Sequence, residues 1–93
     1  MKLRDRLIFV ALIDSAGISE RELARQAGLS HSTVNHLITG RRTSCSVETA
    51  LAICEAFDCP VGVLFIVQRK DEEVAVERYE KLVGRRRSGP AAT

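Results

Sequence analysis

An all-α fold is predicted for this chain: a compact domain of five short helices, an additional C-terminal helix and a disordered tail. Three observations lead there. Helix start and stop signals come in pairs, Ser19 with Gly28 and Ser30 with Gly40. Apolar residues recur at helical spacing along most of the chain. A Pro60 break then separates two further apolar segments. Ninety-three residues, 45% of them hydrophobic, accommodate one small packed domain with an appendage. The boundaries read as a domain over 1–66, a helical extension over 67–84 and a basic disordered tail over 85–93.

The first helix is expected from about Lys2 to Ser15, with Leu3, Leu7, Val10, Ala11 and Asp14 on one stripe that Ile8, Leu12 and Ile13 widen. Arg4 and Arg6 either reach phosphates or are simply solvated, and solvation is favoured because exposed arginines are common. Ala16-Gly17 makes the turn. Ser19 and Glu22 then have the S-x-x-E spacing of a capping box, and Ile18 and Leu23 the spacing of a hydrophobic staple. Leu23 and Ala27 face inward, and small Ala24 permits a close helix crossing. Gly28 ends this helix where the chain must turn with positive φ. The next helix repeats the pattern, with Leu29 and Val34 as staple, Ser30 as cap and Gly40 as terminator. Two capped helices joined by about three residues make a helix-turn-helix signal.

Beyond Gly40, Ser46 caps a helix from Val47 to Phe57 that buries Ala50, Leu51, Ile53, Cys54 and Phe57. Asp58-Cys59-Pro60 breaks it, with Pro60 at the first position of a short helix ending at Phe65. Ile66-Val67-Gln68 fits either a helical extension or a short strand. Asp71 to Val83 reads as the last helix, with Ala75, Val76, Tyr79, Leu82 and Val83 as its apolar stripe and Glu77 four residues before Lys81. About 13 residues make a marginal isolated helix, so it must cover its own domain or a second copy.

The helix after Ser30 has two unlike faces. Val34, Leu37 and Ile38 group on one side, while His31, Ser32, Asn35, His36 and Thr39 share an arc of roughly 140° on the other. That outer arc has no Glu, Asp or Lys. Its short neutral donors and acceptors can meet base edges without repelling phosphates. Arg41 and Arg42 follow directly, and guanidinium forks suit phosphate oxygens or a narrow minor groove. The N-terminus of the preceding helix at Ser19–Glu22 offers backbone N–H groups to a phosphate. Charge is distributed accordingly: residues 1–46 hold seven Lys/Arg against four Asp/Glu, and residues 47–93 hold seven against eight.

These residues resemble the lambda-repressor-like helix-turn-helix family of Cro/C1 or Xre type. The likeness is carried by Leu23-Ala24, Gly28, Ser30 through Val34, Leu37, Thr39-Gly40-Arg41-Arg42 and the stretch from Val47 to Phe65. It spans roughly residues 3–65. It implies a sequence-specific binder of double-stranded DNA that inserts the helix at about 31–39 in the major groove. By position, base contacts fall on His31, Ser32 and His36, with Asn35 beside them. Phosphate contacts fall on Ser19, Arg21, Thr33, Thr39, Arg41 and Arg42, with Glu20 also near the DNA backbone. Two histidines replace the glutamines more common in the family. The implied protein is a small transcriptional regulator, a phage-type repressor or Cro-like switch, acting as a homodimer on a pseudo-palindromic operator. The alternative is an antitoxin-type protein whose residues 71–83 hold a toxin partner.

Other classes find less support. G-x-S-x-G, P-loop and H-E-x-x-H patterns are absent, which argues against an enzyme. Cys45, Cys54 and Cys59 lack C-x-x-C spacing, and His31 and His36 stand about 140° apart around a helix, so no metal or other cofactor is expected. The cysteines read as buried free thiols. No apolar run approaches the roughly 18 residues of a membrane span. Lys2 and Arg4 precede the apolar LIFVALI, but Asp5, Asp14 and the missing cleavage site argue against a signal peptide, and a cytoplasmic location is the expectation.

Overall fold

The computed structural model describes the backbone of residues 1–91 and side chains as far as Leu82. Its elements are β1 (Lys2–Leu3), α1 (Arg6–Ala16), α2 (Glu20–Ala27), α3 (His31–Thr39), α4 (Val47–Phe57), α5 (Val61–Leu64), β2 (Phe65–Ile66) and α6 (Lys70–Ala91). Helices α2 and α3 pack on each other, with α4 behind α2 and α1 behind α3. Phe9, Leu23, Val34, Leu37, Ile53, Leu64 and Phe65 fill the centre. The mostly helical architecture agrees with the predicted fold class.

Local capping chemistry explains why the chain breaks where it does. Ser19, Ser30 and Ser46 each accept a hydrogen bond from the backbone N–H three residues on, at Glu22, Thr33 and Thr49. Gly28 and Gly40 end α2 and α3 at φ 69° and 82°, a region that costs a side chain about 1–2 kcal/mol. Only half of the expected capping box forms at Ser19. The Glu22 carboxylate turns along its helix to Arg25 and Gln26 instead. The paired Arg25 guanidinium holds the Glu22 carboxyl below its usual range.

The first helix departs from the sequence reading. It begins at Arg6, with the Asp5 side chain accepting from Leu7 N–H as its cap. Leu3 therefore belongs to a strand, and the helical face shifts. Phe9 is fully buried, with Ile8, Leu12 and Ile13 beside it, whereas Leu7 is 64% exposed. The stripe drawn through Leu7, Ala11 and Asp14 is thus the outer face.

Strand pairing takes in Ile66, while Val67 and Gln68 join neither helix nor strand, and a small sheet is added to the expected all-helical set. β1 runs antiparallel to β2, with Lys2 opposite Ile66 and Leu3 opposite Phe65. On its other edge, Leu3 N–H donates to Thr43 O at 2.7 Å and Cys45 N–H to Met1 O at 2.9 Å. The N-terminal segment is therefore a central strip that ties the loop after α3 to the end of α5. Pro60 caps α5 rather than opening it.

Helix α6 packs on α4 of its own domain, burying Tyr79 and Glu72, while Val74 and Leu82 stay exposed. Helix propagation adds a hydrogen bond for each residue fixed, and α6 continues to Ala91. It therefore passes the expected end at Val83 and takes in the backbone of most of the predicted disordered tail; Ala92 and Thr93 lie outside the described residues. Glu72, 3% exposed, accepts from Gln68 N–H at 2.9 Å and Arg69 N–H at 3.3 Å. Its second oxygen sits 3.1 Å from the Met1 ammonium, which also donates to Cys45 O. One buried carboxylate thus fastens α6 to β1.

The Gln68 N–H, aided by Met1 and Arg69 against the opposing effect of burial, holds the Glu72 carboxyl below its usual range. A depressed folded value gives stability that is complete above the ordinary glutamate value of about 4.3. That stability is lost as pH falls through the folded value. Glu72→Gln is therefore expected to lower the urea midpoint at pH 7 and to flatten the loss of stability below about pH 4. Parallel acid profiles for the two proteins would contradict the pairing.

At the far end of α4, Asp58 turns at φ 54°, Asp58 N–H donates to Glu55 O and Cys59 N–H to Cys54 O. These are the two bonds of a Schellman motif, which brings the side chains of positions 54 and 59 together. The thiol contact with Cys59, followed by burial, pushes the Cys54 thiol pKa up, so it stays protonated and unreactive.

Candidate nucleic-acid interface

Helix α3 is anchored by Val34 and Leu37, both buried, and turns its other side outward. His31 and Ser32 are exposed, and Thr33, Asn35 and His36 are half-buried beside them. The four residues expected to contact bases therefore share one accessible face. Arg41 and Arg42 are exposed immediately after it.

The arginines sit on a loop with defined geometry. Arg42 N–H donates to His36 O at 3.0 Å, tucking the chain back under the end of α3. Thr43 and Cys45 are then pinned to the β1 segment. The loop that carries the two cations is thus held on both sides, which the sequence did not show. A groove beside α3 is lined by Ser32, Thr33, His36, Arg42, Ser44 and Thr49, among others. It joins the polar face to the capped N-terminus of α4.

Not every expected phosphate contact has a free proton. Thr39 Oγ1 donates to Asn35 O at 2.9 Å, so its hydroxyl hydrogen is committed within the helix. Thr33 Oγ1 is 2.8 Å from Ser30 Oγ, inside the cap of α3. Ser19 Oγ accepts from Glu22 N–H and keeps its own proton to offer. Arg21 is exposed at the start of α2.

Sequence reasoning missed two features. A second pocket gathers Lys2, Arg4, Arg6 and Arg42, with Asp5 among them. Arg4 Nε donates to Gly62 O and Arg6 to Ile38 O, so both guanidinium stems are braced on the fold rather than simply solvated. No periodic signal marks this face, because Arg4 follows β1 and Arg6 opens α1. The other feature is a bond between the motif helices: Asn35 Nδ2 donates to Glu20 Oε1 at 3.1 Å. No local signal announces it, because it depends on how α2 and α3 cross.

A two-helix motif that exposes neutral hydrogen-bonding side chains beside clustered guanidinium groups has the architecture of a protein that reads DNA in the major groove. A helix-turn-helix family model matches residues 11–64, and the chain belongs to that family, of Cro/C1 type. Neither the curated proteins nor the solved structures give a match. Membership makes this a sequence-specific DNA-binding protein of the transcriptional-regulator class, in a family that is generally non-enzymatic. The match leaves out β1, the first five residues of α1, β2 and α6. Among the described residues no helix is long and apolar enough to cross a membrane.

Proposed function

We propose that the chain is a small phage-type repressor or Cro-like regulator that lays α3 in the major groove of its operator. His31, Ser32, Asn35 and His36 meet base edges. Ser19, Arg21, Thr33, Arg41 and Arg42 hold phosphates, and Thr39 joins them only by releasing Asn35 O. The observation that carries this reading is the outer face of α3, where exposed and half-exposed neutral polar residues stand opposite buried Val34 and Leu37.

Two copies bind a pseudo-palindrome with half-sites about one helical turn apart. Exposed Val74 and Leu82 on α6 supply apolar surface for the contact between them. Selection from randomised duplexes, followed by footprinting of the selected site, tests both parts. The expected footprint has two protected segments, and His36→Ala costs about 1–3 kcal/mol of discrimination at one base pair in each. A single protected half-site would contradict the dimer. Equal binding to all duplexes would contradict the reading of α3.

A further inference from the structure

We propose that Glu20 is a positioning residue for base readout: its carboxylate fixes the orientation of the Asn35 side-chain amide, and so sets which bases Asn35 accepts. The inference rests on the reading of α3 proposed above and deepens it.

The geometry is a single contact between two held elements. Glu20 opens α2 and Asn35 lies in the middle of α3, and the Asn35 amide nitrogen donates to Glu20 Oε1 at 3.1 Å. Both side chains are half-buried. Neither backbone is free to drift. Leu23 and Ala24 of α2 pack in the same core as Val34 and Leu37 of α3, and the Gly28 turn is closed by its N–H bonding back to Arg25 O.

The chemistry of the partner decides the outcome. A primary amide has one donor end and one acceptor end that can exchange by rotation about its last bond. An ionised carboxylate only accepts. It bonds the NH2 end of Asn35 and repels the carbonyl end, so the exchanged orientation sets two acceptors against each other. With Nδ2 pinned toward α2, one N–H and Oδ1 remain, in a fixed order. That ordered donor–acceptor pair matches the N7 acceptor and N6 donor of adenine. Guanine presents two acceptors on the same edge and cannot satisfy Oδ1. A freely turning amide also fits the reversed order, adenine on the opposite strand, so A·T and T·A are no longer told apart.

Glu20→Gln is the discriminating variant. Glutamine keeps the size and can either accept from or donate to Asn35, so both amide orientations become available. Selection from randomised duplexes is expected to show one base position per half-site relaxing by roughly 5- to 150-fold, the discrimination of one bidentate pair. The positions read by His31 and His36 should keep their preferences, and the urea midpoint should stay near that of the parent. Glu20→Ala should relax the same position. In an Asn35→Ala background, Glu20→Gln should add nothing at that position, the signature of a coupled pair.

A Glu20→Gln profile superimposable on the parent would overturn the inference while leaving the reading of α3 intact. Relaxation spread over every position would assign Glu20 a general structural role and would equally overturn it. A parent protein with no preference at all would refute the reading of α3, and this inference with it.

Discussion

Phe9→Ala is expected to cost about 3–5 kcal/mol of stability, the range for deleting a fully buried phenyl ring. Phe9 is completely enclosed and meets Phe57 edge-on, with ring centroids 6.0 Å apart. It lies where α1 joins the core, so its loss opens a cavity lined by residues of several elements and also removes an aromatic contact. Domains of this size are stable by only about 5–15 kcal/mol. The variant should therefore show a large drop in urea midpoint and a substantial unfolded population when warmed. Leu7→Ala, two positions away on the opposite face and 64% exposed, should be nearly neutral. The pair separates the observed face of α1 from the stripe that periodicity alone suggested. Similar midpoints for the two variants would mean that α1 is rotated from the position described.

Replacing Arg41 and Arg42 together with alanine is expected to weaken binding to every duplex alike. Each phosphate contact contributes about 0.9 to the slope of log affinity against log salt, so the slope should flatten by about two. The loss grows at low salt, where counterion release drives binding hardest. Arg42 lines both grooves beside α3, and the β1 segment holds the loop on which it stands. The side chains are therefore presented by a braced loop, and their removal leaves the backbone bonds in place. Base preferences should be retained, since phosphate contacts position a protein without reading sequence. An unchanged slope would place the DNA backbone elsewhere on the surface.

The parts of this molecule legible in the sequence are those decided locally. Ser19, Ser30 and Ser46 cap their helices through hydroxyls three residues from their N–H partners, and such bonds need no tertiary context. Gly28 and Gly40 mark turns for the same reason. Helix α4 could be bounded residue by residue because Ser46 and Asp58 both act within one turn. By contrast, two-residue strands have no detectable period. Helical periodicity puts Leu3 on a stripe of α1, although it pairs with Phe65, sixty-two positions later.

The same division applies to the interface. The outer face of α3 follows from 100° per residue, so its composition was readable. The bracing of Arg41 and Arg42 by the N-terminal segment was not, and neither was the amide bond from Asn35 to Glu20. Both depend on where separate elements come to rest. The Met1–Glu72 pair belongs to this group as well, since it joins the N-terminus to the first turn of α6 across the fold.

The central claim is that the exposed side of α3 and the loop after it lie against a duplex. Titrating a selected duplex into isotopically labelled protein and following the amide resonances tests it most directly. The largest shifts are expected within residues 31–42 and at Glu20, with the buried core of α4 little changed. Undisturbed resonances over 31–42, with a response centred on α6 or α1, would contradict it.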